Sequence, residues 1–321
     1  MGYYLAMKAY EANHAVTILN RGLSPDNLPE DVGRLRCDRT DFHQMRRALT
    51  GRDFDVVVDM TLFRQREAES IINILDGQVG HYIFVSTGQV YLVRDGIQRP
   101  FREADYHGPV ISAPELNTYD YEEWLYGMDK RRAEDAFYEA AAQRNFPFTA
   151  LRLPMVNSER DTFNRLYGYV LRIQDGGPIL VPDAPEYPLR HVYGGDVVQA
   201  MMRLIETGST EHRAFNISQD EAVSLEGFLT IIADIVEQPL HLTRFQRPKL
   251  EAQGFLPDCS PFSESWMSEL DNTLSKEVLG MQYTPLRDYL RCIINYYDST
   301  YPARPSSYRR RHAEKLFAAS A

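Results

Sequence analysis

Tyr126 and Lys130 stand four residues apart in Tyr126-Gly-Met-Asp-Lys130. Four residues carry an α-helix slightly more than one turn, so a phenol and an ammonium share one face. A phenol with an ordinary pKa near ~10 is a poor acid or base at neutral pH, whereas a cation beside it favours the phenolate and brings the group toward the working range. The pair could therefore move a proton. Tyr and Lys also meet at this spacing by chance in many helices, so an ordinary surface pair stands as the alternative until something else supports chemistry. Upstream, His81-Tyr-Ile-Phe-Val-Ser-Thr-Gly-Gln-Val-Tyr91 reads as a buried strand, Tyr82 to Val85, ending in the hydroxyls of Ser86 and Thr87. In open α/β sheets the ligand crevice lies beyond the carboxyl ends of the strands, where these hydroxyls would be.

The elements that must position these groups alternate along the chain. Met1 to Tyr10 reads as a helix with Leu5 and Ala9 on one face, and Ala15-Val-Thr-Ile-Leu-Asn20 as a strand ending in Arg21-Gly22. Phe54-Asp-Val-Val-Val-Asp-Met-Thr61 is nearly all apolar, as a strand covered on both faces should be. The stretch between Val90 and Tyr119 carries Pro100, Pro109 and Pro114 and reads equally as a lid or as a loose insertion. The helix containing Tyr126 runs to about Gln143, and Phe148-Thr-Ala-Leu-Arg-Leu-Pro-Met-Val156 follows as another strand. Further on, Asp196 and Ser224 are candidate helix N-caps. His191 reads as a structural, hydrogen-bonding histidine.

Composition excludes several classes. The 321 residues can bury a large core, and 44% hydrophobic with 25% charged residues is a globular composition. No run of about 20 apolar residues and no signal peptide is visible, which argues against membrane and export roles. A net charge of −10 opposes binding to nucleic-acid phosphates. Three scattered cysteines, Cys37, Cys259 and Cys292, suggest neither a disulfide framework nor a metal site, and a reducing cytoplasm is the expected location.

With these segments in order, the sequence resembles the extended branch of the short-chain dehydrogenase/reductase superfamily, the NAD-dependent epimerase/dehydratase family. Ser86-Thr-Gly-Gln-Val-Tyr91 is similar to the family's strand-end motif with its catalytic Ser or Thr, Thr87 being the best match, and Tyr126 and Lys130 match its catalytic Tyr and Lys. The resemblance implies an α/β fold: a Rossmann-like, doubly wound parallel sheet with a smaller, interleaved C-terminal substrate lobe. It implies a nicotinamide dinucleotide held by Gly2, the last glycine of the phosphate turn, by Asp38 at the adenine, by Thr61 beside the cofactor, by Lys130 at the nicotinamide ribose, and by Pro154 and Met155 at the nicotinamide ring. Asn20-Arg21 ends the second family strand where an acidic residue would bond the ribose of NAD. An arginine there accommodates a 2′-phosphate and tilts the reading to NADP, with Arg21 as a solvated turn residue remaining open. Two departures bear on the substrate. Met155 and Asn157-Ser-Glu stand where nucleotide-sugar members often carry an Asn and then Tyr-Gly-Pro, and Gly88-Gln89 stands where dehydratases place Asp-Glu.

The expected layout is a dinucleotide-binding domain over 1–156, a substrate lobe over 157–300 interleaved with late Rossmann elements around 189–218, and a disordered basic tail over 301–321 containing Arg309-Arg-Arg311. The family's first strand and most of its Gly-rich turn are absent from the sequence as given. A start codon assigned too late fits this better than truncation or degeneracy, and the sequence as given is expected to bind its dinucleotide poorly. The function expected is hydride transfer at a hydroxyl-bearing carbon of a sugar-like or other small polar substrate, by an oxidoreductase or epimerase without a metal, with a homodimer as the assembly to test. A non-catalytic NAD(P)-binding regulator is the second reading. An RNA-associated member, like the plant organelle proteins of the superfamily, is the third, and the acidic balance opposes it.

Overall fold

The strand that carries Ser86 and Thr87 owes its place to nine residues, Val79–Thr87, of which all but Gly80 are buried. A computed structural model describes residues 1–23, 26–208 and 211–320. In chain order the elements are α1 (Gly2–Glu11), β1 (Thr17–Asn20), β2 (Gly33–Arg36), α2 (Phe42–Leu49), β3 (Phe54–Asp59), α3 (Gln65–Leu75), β4 (Val79–Thr87), α4 (Gln89–Leu92), α5 (Tyr119–Arg144), β5 (Phe148–Leu153), β6 (Val156–Asn157), α6 (Arg165–Gln174), β7 (Ile179–Pro182), β8 (Val192–Tyr193), α7 (Gly194–Thr207), β9 (Ala214–Asn216), α8 (Leu225–Ile235), β10 (Leu242–Phe245), α9 (Arg247–Ala252), α10 (Thr273–Leu279), α11 (Leu286–Thr300) and α12 (Arg311–Ala318).

Two units divide the chain. The first comprises Met1–Leu153, Gly195–Ile217 and Leu270–Gln282; the second comprises Pro154–Gly194, Ser218–Glu269 and Tyr283–Ala321. Pro154 and Met155 thus go with the second unit. Residues 270–282, expected in the substrate lobe, belong to the first unit, because Leu270 is buried among Val90, Tyr91, Phe101 and Tyr106 and the Asp271 amide donates to the Phe101 carbonyl at 2.8 Å.

In the first unit the parallel sheet is in two pieces, one of order β1-β2 and one of order β3-β4-β5-β9. Among the described residues, β1 and β3 each have a strand on one edge only. Consistent with an open edge, Val56, Val57 and Val58 of β3 are only half-buried, whereas Tyr82 to Val85 of β4, paired on both sides, are buried. Arg39, just after β2, spans the two pieces with bonds to Asp59 at the end of β3. Over the four-stranded piece, α3 and α5 bury an aromatic core in which Phe137 lies 5.0 Å from Tyr82, 5.3 Å from Phe84 and 5.4 Å from Phe148 between ring centroids.

The stretch after α4 is not a loose insertion. Arg131 of α5 donates to the carbonyls of Val90 and Tyr106, both at 2.9 Å, the Tyr106 hydroxyl donates to Asp135 at 2.7 Å, and Trp124 Nε1 donates to the Ile111 carbonyl at 3.3 Å. Side chains on one helix face thereby bond backbone carbonyls of α4 and of the stretch that follows it.

The second unit pairs β6 with β8 and β7 with β10, all parallel, under α6, α8 and α11. Ser224 caps α8 by accepting from the Gly227 amide at 3.0 Å. Asp196 lies in the first turn of α7 rather than ahead of it. Residues 301–320, expected to be a disordered tail, instead carry α12, which is docked on this unit. Arg172 and Glu314, each 1% exposed, meet at 2.6 Å, Arg311 donates to Asp175 and to the Pro178 carbonyl, and Phe317 packs on Phe245 at 4.7 Å. Part of the basic charge that suggested solvation is neutralised by this buried carboxylate and by Asp175. Although burial pushes the Asp175 carboxyl up, hydrogen bonds from Arg311 and the Gly177 amide hold it well below the usual carboxylate range.

Candidate active site

α5 begins at a cap, with the Tyr121 amide donating to Thr118 Oγ1 at 3.1 Å, and ends at Asn145 in the left-handed region, φ 55°. Tyr126 and Lys130 occupy neighbouring turns of it. Lys130 is 2% exposed, and its Nζ donates to the carbonyls of Leu62 at 2.6 Å and Val85 at 2.8 Å. Two of its three donors are thus engaged. Burial pushes the ammonium down from 10.5 to about 8, against the attraction of Asp59 and Glu134. Phe63 is a wall common to the pair: Lys130 Nζ is 4.7 Å from its ring centroid, and the half-buried Tyr126 ring is 6.3 Å from it. Gly127, between them, allows α4 to approach. A Cβ there would stand 2.8 Å from Val93 Cγ1 and 2.9 Å from the Gln89 carbonyl oxygen.

The two strand-end hydroxyls part company. Ser86 donates to Glu134, which holds Arg152 at 2.6 Å, and Arg152 Nη1 donates to the Tyr91 hydroxyl at 2.8 Å. Tyr91 in turn donates to Asn216 at 2.8 Å, so Ser86 is committed to a buried polar network. Thr87 faces α4 instead, where its Oγ1 accepts from the Gln89 amide at 3.3 Å, while Gln89 Nε2 donates to Glu123 on α5. Thr87, Gln89, Glu123, Tyr126 and Lys130 therefore gather where β4 meets α4 and α5.

Of the residues expected at a nucleotide, Asn20, Arg21, Asp38 and Thr61 lie at or just beyond the other strand ends of this unit. Asn20 Oδ1 accepts from the Gly22 amide at 2.8 Å, and Arg21 is exposed. Asp38 accepts from the Thr40 hydroxyl at 2.7 Å and its amide at 2.9 Å. These bonds, and then the charge of Arg21, hold it below the usual carboxylate range. Gly2 opens α1 against Met60, 3.5 Å from its Sδ to a Cβ built on the glycine. Thr61 Oγ1 accepts from Arg39 at 3.1 Å, and its neighbour Leu62 supplies a carbonyl to Lys130. In the second unit the Met155 carbonyl accepts from the Val192 amide at 3.0 Å.

Such a donor set fits a dinucleotide at two places. At one, a buried ammonium lies one helical turn from a phenol; at the other, an exposed arginine at the end of β1 and a carboxylate just after β2 carry the charges an adenosine phosphate or ribose would meet. Among the described residues no group of three His, Cys, Asp or Glu could hold a metal, and no helix is long and apolar enough to cross a membrane. His191 is 1% exposed, with Nδ1 3.0 Å from Asn157 Nδ2, and burial pushes it down to about 3, as befits a neutral structural group.

Sequence reasoning missed Arg39, Phe63, Gln89 and Glu123. For Glu123 a signal existed, three residues before Tyr126 and hence on its face. For Arg39 it did not, because its partner Asp59 is apart in sequence and meets it only through the fold. Asp59 also accepts from the Tyr82 hydroxyl at 2.5 Å.

The comparisons with known proteins bear on this arrangement. The profile of the NAD dependent epimerase/dehydratase family matches residues 1–218. The structure of UDP-glucose 4-epimerase from Thermotoga maritima with UDP-glucose matches with a TM-score of 0.70 at 18% identity, covering 94% of this chain and 96% of that one. That of Thermus thermophilus UDP-glucose 4-epimerase in complex with NAD matches with a TM-score of 0.68 at 14% identity, covering 93% and 96%. Among curated proteins, chloroplast stem-loop binding protein of 41 kDa b from Arabidopsis thaliana is 23% identical over 243 residues, 71% of this chain, and the match spans 58% of that protein's length. The structural likenesses show a shared Rossmann-like fold. Since the profile covers well over half of the chain, including Thr87, Tyr126 and Lys130, the chain belongs to the NAD dependent epimerase/dehydratase family.

Proposed function

We propose that the protein is an NAD(P)-dependent oxidoreductase or epimerase acting at a hydroxyl-bearing carbon of a sugar-like substrate. The observation that carries this reading is Lys130, a buried ammonium on the helix face of Tyr126, anchored to the Val85 carbonyl two residues before Thr87. A nicotinamide group, when bound, accepts or gives the hydride. Tyr126 exchanges the hydroxyl proton, Lys130 favours the phenolate and holds the nicotinamide ribose, and Thr87 orients the substrate oxygen. Gly2, Asn20, Arg21, Asp38 and Thr61, with Pro154 and Met155, are the proposed cofactor contacts, and the exposed Arg21 at the end of β1 favours NADP. Two structural relatives named UDP-glucose 4-epimerase support a nucleotide sugar as the first substrate class to try. A cytoplasmic location and a homodimer belong to the same proposal.

Tyr126→Phe is expected to abolish turnover while leaving NAD(P) affinity within about threefold, since only the transferable proton is lost. Activity within about tenfold of the parent would remove Tyr126 as the acid/base. A non-catalytic NAD(P)-binding regulator is the second reading, favoured by the divided sheet. It requires dinucleotide binding without turnover of any sugar nucleotide. The RNA-associated reading takes support from the name of the Arabidopsis relative and is opposed by the net charge of −10.

A further inference from the structure

Glu123 has no part in the proton and hydride transfers proposed above, yet it lies among the groups that would perform them. It sits three residues before Tyr126 on α5, so the two side chains are neighbours on one helix face. Its position is fixed from the other side by Gln89, whose side-chain amide donates to Glu123 Oε2 while its backbone amide donates to Thr87 Oγ1 at 3.3 Å. Gln89 is itself 9% exposed and packed at the close approach of α4 to α5, where its carbonyl oxygen would be 2.9 Å from a Cβ at position 127. The carboxylate is therefore held by the same buried Gln89 that bonds the hydroxyl expected to orient the substrate, one helical turn from the phenol expected to take its proton. It is half-buried, where a charge is less screened than on open surface.

We infer that Glu123 is a specificity-determining residue, which accepts a hydrogen bond from a hydroxymethyl group borne by a carbon next to the reacting one and turns away substrates carrying a carboxylate in its place. Gln89 is its positioning residue. The inference deepens the proposed function and rests on it. The physics is that of an ionised acceptor, which strengthens a hydrogen bond from a neutral hydroxyl and repels a like charge brought to the same place. The favoured substrate class is thus a nucleotide-linked neutral sugar rather than the corresponding uronic acid, in which the carbon beside the reacting carbinol bears a carboxylate. No chemical step is added.

The experiment compares UDP-glucose with UDP-glucuronic acid, each with NAD and with NADP. Turnover is followed in two ways, as net reduction of the nicotinamide by absorbance and as epimerised sugar nucleotide resolved by chromatography, for the parent and for Glu123→Gln, Gln89→Leu and Tyr126→Phe, and each variant's thermal melt is recorded by circular dichroism. Glu123→Gln keeps the size of the side chain and a carbonyl oxygen to accept from Gln89. The parent is expected to prefer UDP-glucose by about tenfold or more in kcat/KM, the size of effect that opposed like charges produce. Glu123→Gln should bring the two substrates within about threefold, mainly by improving KM for the uronate, and Gln89→Leu should move the ratio the same way with an unchanged melt. A parent that uses both substrates equally, one that prefers the uronate, or a ratio unmoved in a folded Glu123→Gln overturns the role of Glu123 and leaves the hydride-transfer reading standing. Neither reduced nicotinamide nor epimerised product with any pair, in a parent that melts cooperatively, overturns the proposed function and this inference with it.

Discussion

At the scale of single residues, Lys130 invites the sharpest test because its ionisation lies near physiological pH. Burial brings its ammonium down to about 8. Below that pH the cation is present and favours the Tyr126 phenolate; above it the cation is lost. Turnover is therefore expected to fall as pH rises through about 8, and Lys130→Met should lack that limb while losing both turnover and NAD(P) affinity. A pH profile flat from 7 to 9.5, or a Lys130→Met variant with intact cofactor binding, would take away the electrostatic or the ribose half of the assignment respectively. Arg21 is a separate matter, exposed at the end of β1. If it meets a 2′-phosphate, NADP binds more tightly than NAD, and Arg21→Ala removes about 1.5–3 kcal/mol of that preference. Titration of both dinucleotides decides this, and equal affinities in the parent dispose of it. At this scale the sequence was legible where chemistry is local. The helix face shared by Tyr126 and Lys130 and the strand ending in Ser86 and Thr87 were readable from spacing and pattern, whereas the different partners of Ser86 and Thr87 were not, since they depend on Glu134 and Arg152 arriving from two other elements.

At the scale of elements, the meeting of α4 with α5 positions the site, and Gly127 is what permits it. Alanine raises helix propensity by about 1 kcal/mol over glycine. Against that, its methyl would press on a backbone carbonyl and a buried Val93, neither of which can swing aside. Overpacking of this kind costs about 1–3 kcal/mol, so Gly127→Ala is expected to lower the melting temperature and to displace Gln89 and Thr87, reducing kcat more than affinity for the cofactor. A variant as stable and as active as the parent would show that α4 has room to move. The strands were the most legible elements, because β4 and β5 are mostly apolar and buried almost throughout, as parallel strands covered on both faces are. The stretch after α4 was ambiguous because its order comes from Arg131, Tyr106 and Trp124 reaching carbonyls distant in sequence. No local propensity records such contacts.

At the scale of the whole molecule, the least legible part was residues 301–320. Arg309-Arg-Arg311 looks like a solvated cluster, and only the fold reveals that Arg311 and Arg172 face Glu314 and Asp175. Removing one partner of a buried ion pair leaves the other uncompensated, at about 3–5 kcal/mol. Glu314→Ala should therefore destabilise the protein by roughly that amount in a urea titration, and a change under about 1 kcal/mol would mean that water reaches Arg172 freely. The first unit is assembled from three separate stretches of chain, and its buried cluster of Val90, Tyr91, Phe101 and Tyr106 is completed only by Leu270. A ribosome delivers those parts in order, at about 5–20 residues per second, so the cluster waits on the order of ten seconds after its first members emerge before its last one does. During that interval the wall beside α4 lacks its last apolar partner, the kind of transiently open surface through which an incompletely folded chain associates.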